Sequence, residues 1–133
     1  MTFNCTIEQD EGMYIVQFPD MPNIQTFGNT HEEALAMAKE ALESCLESDI
    51  SRGMAIPSPS FSGGHPVSVA SHIVLSLQLR VLRGEQSQTE IAQRLGLSYQ
   101  SYQRLENPRK ANPTIKTLER IARIYGRELI ISM

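Results

Sequence analysis

The residues from Gln88 to Glu106 read Gln-Thr-Glu-Ile-Ala-Gln-Arg-Leu-Gly-Leu-Ser-Tyr-Gln-Ser-Tyr-Gln-Arg-Leu-Glu, and they carry side chains suited to reading nucleic-acid bases. A glutamine can pair bidentately with adenine, an arginine with guanine, and a serine with either. The spacing arranges them. Ala92 is small where two short helices cross, and Gly96 lets a tight turn between them adopt positive φ. Ile91, Leu95, Leu97, Tyr102 and Leu105 supply apolar surface that holds the helices at a steep angle. With Tyr102 and Leu105 turned inward, Tyr99, Gln100, Ser101, Gln103 and Arg104 remain outside as the candidate base-reading set. The plainer alternative is an ordinary polar face on a small helical domain, and the surrounding charge argues against it. From Gly63 to Met133 there are ten basic and five acidic residues, a net +5, as phosphate binding requires.

Other elements must position this pair. Val69 to Arg83 reads as a helix with more apolar surface than one stripe needs (Ile73, Leu75, Leu77, Leu79, Leu82), so part of it is expected to face a second subunit. Ser87-Gln-Thr-Glu90 is a capping box opening the first short helix, which Gly96 ends, and Ser98 can cap the second. Asn107 to Pro113 is a loop, and Thr114 caps a last helix with inward positions Ile115, Leu118, Ile121, Ala122 and Tyr125. Glu128 to Met133 reads as a terminal strand, and a lone strand needs a partner, which the other subunit of a dimer would supply.

The N-terminal half has the opposite charge and a different pattern. From Met1 to Ser62 there are ten acidic and two basic residues (Lys39 and Arg52), a net −8. That sign suits a basic partner, as the other half suits a polyanion. Phe3, Cys5 and Ile7 alternate with polar residues, as do Tyr14, Val16 and Phe18, so two strands form a hairpin around Asp10-Glu11-Gly12. A short third strand follows at Gln25–Phe27. Thr30-His-Glu-Glu33 is a capping box for a helix with an apolar stripe of Leu35, Ala38, Ala41, Leu42, Cys45 and Leu46, ending near Arg52-Gly53. Its other face carries Glu32, Lys39, Glu40, Glu43 and Glu47. The run from Pro57 to Pro66 is rich in proline, serine and glycine and reads as a flexible linker where the charge changes sign. The expected domains are therefore 1–56, a linker at 57–67, and 68–133.

The region from Val74 to Tyr125 resembles the helix-turn-helix of Cro and phage-repressor-like regulators. In that family the residue matching Gln88 commonly contacts a phosphate, and the loop matching Asn107 to Lys110 contacts the backbone. The resemblance thus implies Gln88, Asn107, Arg109 and Lys110 as phosphate contacts. Pro108 departs from the glycine common among relatives. Glu106 is usually tied to a basic residue of the first helix, for which Arg80 and Arg83 are both candidates.

The N-terminal half resembles the HicB antitoxin family, on Gly12-Met-Tyr-Ile-Val-Gln-Phe-Pro-Asp20, Thr26-Phe-Gly-Asn-Thr-His-Glu-Glu-Ala-Leu35 and Ile56-Pro-Ser-Pro59. The order of parts matches too, and together the two resemblances cover nearly the whole chain. They imply an α+β fold: a small antiparallel sheet with one helix, like a reduced ribonuclease H fold, then an all-α helix-turn-helix domain and a short C-terminal strand. They also imply two partners, a basic mRNA-cleaving toxin called HicA and operator DNA, with homodimerisation through the C-terminal domain and possible tetramers through the N-terminal ones. Charge alone places the toxin contacts at Asp10, Glu11, Asp20, Glu43 and Glu47. Complementary potentials of this kind speed encounter and reject wrong partners.

Catalysis is not expected. Active ribonuclease H enzymes cluster carboxylates around two metal ions, whereas here Glu8, Asp10 and Glu11 lie at a hairpin end and Asp20 in a Pro-flanked loop. His31, His65 and His72 are scattered, Cys5 and Cys45 fit no metal spacing, and Gly63-Gly64 cradles no phosphate. No metal or cofactor is expected. The chain starts without a basic leader and nothing approaches the ~20 apolar residues of a membrane span, so a cytoplasmic protein is expected. The alternative reading is a transcriptional regulator whose N-terminal domain senses a small molecule; a metal-dependent nuclease ranks last.

Overall fold

The computed structural model describes all 133 residues. The chain divides into two compact units, Met1–Val74 and Leu75–Met133. In the first, β1 (Thr2–Asp10), β2 (Met13–Gln17), β3 (Gln25–Gly28) and β4 (His65–Ser68) form one antiparallel sheet in the order β3-β2-β1-β4. Helix α1 (His31–Ser51) covers one face. Alternation decides which residues meet it: Phe3, Cys5, Val16 and Val67 are buried, and Phe18, Met21 and Ile24 close the core beyond β2. The buried stripe of α1 is Ala34, Ala38, Leu42, Leu46 and Ile50. The expected stripe is thus displaced, with Leu35, Ala41 and Cys45 only half-buried. Close approach fixes the start of this stripe: a Cβ on Gly28 would lie 2.3 Å from the Ala34 amide nitrogen, so the first turn of the helix meets β3 through the small residue Ala34.

The expected linker requires a correction. His65, Pro66 and Val67 belong to β4, which pairs with β1 over Thr2↔Ser68 to Cys5↔His65. Gly64 makes this approach possible, since a Cβ there would fall 2.2 Å from the Cys5 carbonyl oxygen. Ser60 and Phe61 are also tied down, by Asp20. The segment 57–67 is therefore largely part of the first unit, not a free tether. The boundary falls instead inside helix α2 (Ser71–Arg83).

The second unit contains the rest of α2, then α3 (Gln88–Leu95), α4 (Tyr99–Leu105) and α5 (Ile115–Ile124). Each short helix starts on the cap expected for it: Ser87 accepts from the Glu90 amide, Ser98 from Ser101 and Thr114 from Thr117, at 3.0–3.2 Å. Gly96 ends α3 with φ 69°, the left-handed conformation the turn needs. Leu79, Ile91, Ala92, Leu95, Tyr102, Leu105 and Ile121 form the core.

Two arginines act where local sequence offered no sign of them. Arg94 of α3 donates to the Ile124 carbonyl at the end of α5, and Arg120 of α5 donates to the Leu95 carbonyl at the end of α3. Each cation thus satisfies an orphan carbonyl at the negative end of the other helix. Two expectations fail in this unit. Ile115 is 57% exposed, not inward, because it opens α5 ahead of the buried turn around Ile121. Residues 127–133 form no strand, since no strand in the chain pairs with them, and Ile130 and Ile131 are left exposed.

Candidate functional site

Tyr99, Gln100, Ser101, Gln103 and Arg104 are all exposed on α4, while Tyr102 and Leu105 of the same helix are buried. What holds α4 is a polar network under it. Glu106, only 7% exposed, accepts from Arg83 Nε at 2.7 Å, Arg83 Nη2 at 3.0 Å, Tyr102 Oη at 2.5 Å and Gln88 Nε2 at 3.2 Å. Arg83 is therefore a direct ion-pair partner of Glu106. Its two-pronged contact ties α2 to the end of α4, and its Nη1 also donates to the Gln86 carbonyl. The hydrogen bond with Glu106 pushes the Arg83 pKa upward; burial, then the same carboxylate, pushes the Tyr102 phenol well above its ordinary value. Arg83 and Tyr102 therefore both keep their protons throughout the physiological range and remain donors to Glu106.

The four residues implied for phosphate contact occupy two kinds of place. Arg109 and Lys110 are exposed. Asn107 is half-buried and caps the loop, accepting from the Arg109 amide through its side chain and from Lys110 and Ala111 through its carbonyl. Pro108 is fully buried, which accounts for its departure from glycine: its ring is a packing element under the loop. Gln88 spends one amide hydrogen on Glu106 and keeps a second to donate.

The acidic residues of the first unit divide as well. Asp20 accepts from the Ser60 amide, the Ser60 hydroxyl and the Phe61 amide, and these bonds hold its pKa below the ordinary carboxylate value. Glu43 accepts from the Ala70 amide at 2.6 Å, next to the start of α2, and from Lys39 at 3.3 Å; Lys39 also donates to the Ser68 carbonyl. Glu47 is half-buried on α1. Asp10 and Glu11 alone of the five charge-based candidates are fully exposed, at the β1–β2 turn. Asp20 and Glu43 thus fasten the fold, which their charge alone did not reveal.

The histidines are less scattered than their spacing implied. The rings of His31 and His65 lie 4.9 Å apart, and Tyr14 stands 6.0 Å from His31. No three His, Cys, Asp or Glu side chains are grouped so as to hold a metal ion. Burial raises the Cys5 thiol pKa, and burial with the neighbouring Asp49 raises that of Cys45. No helix is long and apolar enough to cross a membrane.

Comparison with known proteins accounts for both units. Residues 2–79 match the family described as HicB_like antitoxin of bacterial toxin-antitoxin system, and residues 79–131 match a helix-turn-helix family. Antitoxin HicB 1 of Photorhabdus laumondii is 34% identical over 138 residues, spanning 100% of this chain and 87% of its own length. Antitoxin HicB of Escherichia coli K12 is 35% identical over 129 residues, 92% of this chain and 91% of its own. The solved N-terminal domain of antitoxin HicB from Burkholderia pseudomallei is 27% identical, covering 56% of this chain and 80% of that one, with a TM-score of 0.40. The chain therefore belongs to the HicB-like antitoxin family, with a helix-turn-helix domain as its second half.

Proposed function

We propose that this protein is an antitoxin that binds and neutralises a HicA-type mRNA-cleaving toxin through its first unit and represses its own operon through its second. The observation that carries this reading is the coexistence, in a chain similar to HicB antitoxins along its whole length, of an acidic unit and a basic one with five polar side chains exposed on one helix. On DNA, α4 enters the major groove, with Tyr99, Gln100, Ser101, Gln103 and Arg104 facing base edges. Gln88, Asn107, Arg109 and Lys110 approach the phosphates on either side.

Operator binding uses a homodimer joined through the C-terminal unit. Val81 of α2 is 71% exposed, and Ile130 and Ile131 stand free at the terminus, which supports an apolar seam with a second copy. Two α4 helices then occupy successive major grooves about 34 Å apart. The protein acts by binding, in the cytoplasm, and needs no cofactor.

The test is co-expression of the tagged chain with the small basic protein encoded beside it, followed by RNA cleavage with and without this chain. A tight complex that silences cleavage is expected. Operator binding with no partner captured would replace this reading by the small-molecule-responsive regulator.

A further inference from the structure

The sheet of the first unit has one face under α1 and one face that no element of that unit covers. Register decides what stands on the open face. Glu8, Ile15 and Phe27 are directly opposite one another across β1, β2 and β3, and Asp10 is opposite Met13. Their sequence neighbours, such as Val16 and Gly28, are the ones buried beneath the helix. The row is open to solvent: Phe27 is 53% exposed and Met13 36%, with Ile15 half-buried between them. Aromatic and aliphatic side chains in one row on a solvent-facing sheet gain only modest cross-strand pairing for the fold and stay largely in water, and such anchors are enriched where proteins bind one another.

Charge selects the occupant. Glu8 and Asp10 are exposed on the same face and Glu11 adjoins them at the turn, while residues 1–38 and all of β4 contain no lysine or arginine. A second copy seated face to face would set carboxylates against carboxylates. We propose that this open face, centred on Phe27, Ile15 and Met13 and rimmed by Glu8, Asp10 and Glu11, is the docking surface for a basic protein, the toxin of the preceding section. The proposal rests on the antitoxin reading and moves the contact away from the helix face and from Asp20 and Glu43. Apolar anchors supply the affinity, and the acidic rim supplies approach and register.

The experiment compares full-length variants for binding to the purified toxin at physiological salt. Phe27→Ala should weaken binding by roughly 30-fold or more, as truncation of an aromatic anchor does. The double variant Glu8→Lys/Asp10→Lys should slow association at least tenfold. Glu32→Lys/Glu40→Lys, an equal change of charge on the exposed side of α1, should change affinity less than threefold. Unchanged operator binding and circular dichroism establish that each variant is folded. Wild-type affinity in the Phe27 and Glu8/Asp10 variants, or an equal loss in the helix pair, overturns the proposal. So does a Phe27→Ala protein whose mass falls in the absence of toxin, since the face would then join copies of this chain. A wild-type chain that binds no toxin removes the antitoxin reading itself, which separates that failure from the others.

Discussion

The two units of this protein place polar side chains under opposite rules. In the C-terminal unit the division is by depth: Glu106, Arg83 and Tyr102 lie underneath and satisfy one another, and the side chains of α4 above them are left exposed. In the N-terminal unit everything acidic is near the surface, so depth does not separate structural from free carboxylates. Partners do. Asp20 and Glu43 each accept from backbone amides of a segment distant in the sequence, whereas Glu8, Asp10 and Glu11 stand exposed around an apolar row. An acidic surface becomes interpretable only when each carboxylate is followed to its donor.

The sharpest way to break this contrast is to remove the carboxylate at the centre of the buried network. Glu106→Ala leaves the Arg83 guanidinium short of its ion-pair partner and strips acceptors from Tyr102 and Gln88. A cost of about 3–5 kcal/mol is expected, the range for breaking one partner of a buried pair. That is a large share of what a small unit has to lose. Urea unfolding followed by probes in each unit should show the second unit melting early, operator binding failing and the sheet unit persisting. Loss of both units together would mean that the boundary inside α2 is not an energetic one.

Next in size are the variants of the exposed set, which should leave stability within about 0.5 kcal/mol. Arg104→Ala should cost about 1–3 kcal/mol of operator affinity and relax preference at one base pair. Arg109→Ala should weaken all sequences alike and reduce the slope of log K against log salt by about one. Binding titrations against operator and scrambled DNA at several salt concentrations separate the two. Equal, sequence-independent losses would mean that α4 does not read bases through Arg104.

How far these roles were legible depends on whether the signal is local. Caps, the turn at Gly96 and strand alternation all act within a few residues, and Thr30, Ser87, Ser98 and Thr114 cap the helices their spacing implies. The exposed and buried sides of α4 follow from period alone. What escaped depends on pairing over long separations. β4 is four residues long, contains Pro66 and follows two glycines, so only its alignment with Thr2–Cys5 makes it a strand. His31 and His65 meet because β4 and the start of α1 converge, and the exchange of caps by Arg94 and Arg120 needs α3 and α5 already in place. Arg80 and Arg83 are both basic residues of α2, and only the position of Glu106 identifies Arg83 as a direct partner. The terminal apolar run shows the reverse failure: its composition reads as strand, but a strand needs a ladder that this chain does not provide.

Glu43 sharpens the contrast within the acidic unit. Glu43→Ala removes an acceptor for the Ala70 amide and the partner of Lys39, which together hold β4 and the start of α2 against α1. Loss of a capping-type carboxylate of this kind costs about 1–2 kcal/mol. Thermal unfolding should register it as a loss in the first unit, with toxin affinity unchanged when measured well below the transition. A drop in affinity with unaltered stability would return Glu43 to the binding surface.

Asp20 provides the smallest effect and the clearest sign. Its folded pKa is depressed by hydrogen bonds from Ser60 and Phe61. For a carboxylate lowered on folding, the contribution to stability is present above the unfolded pKa and disappears as pH falls through the folded one. The wild-type chain should therefore lose this attachment only below the ordinary carboxylate range, while Asp20→Asn should lack it at neutral pH as well. Asparagine keeps one acceptor oxygen but cannot take all three donors as a charged group does. Amide exchange at Ser60 and Phe61 reports the attachment directly. It should be faster in Asp20→Asn at pH 7, and the ratio to wild type should shrink as acid protonates the native carboxylate. A ratio that stays constant from neutral to acid pH would show that the loop is held by packing around Phe61 and not by the charge at Asp20.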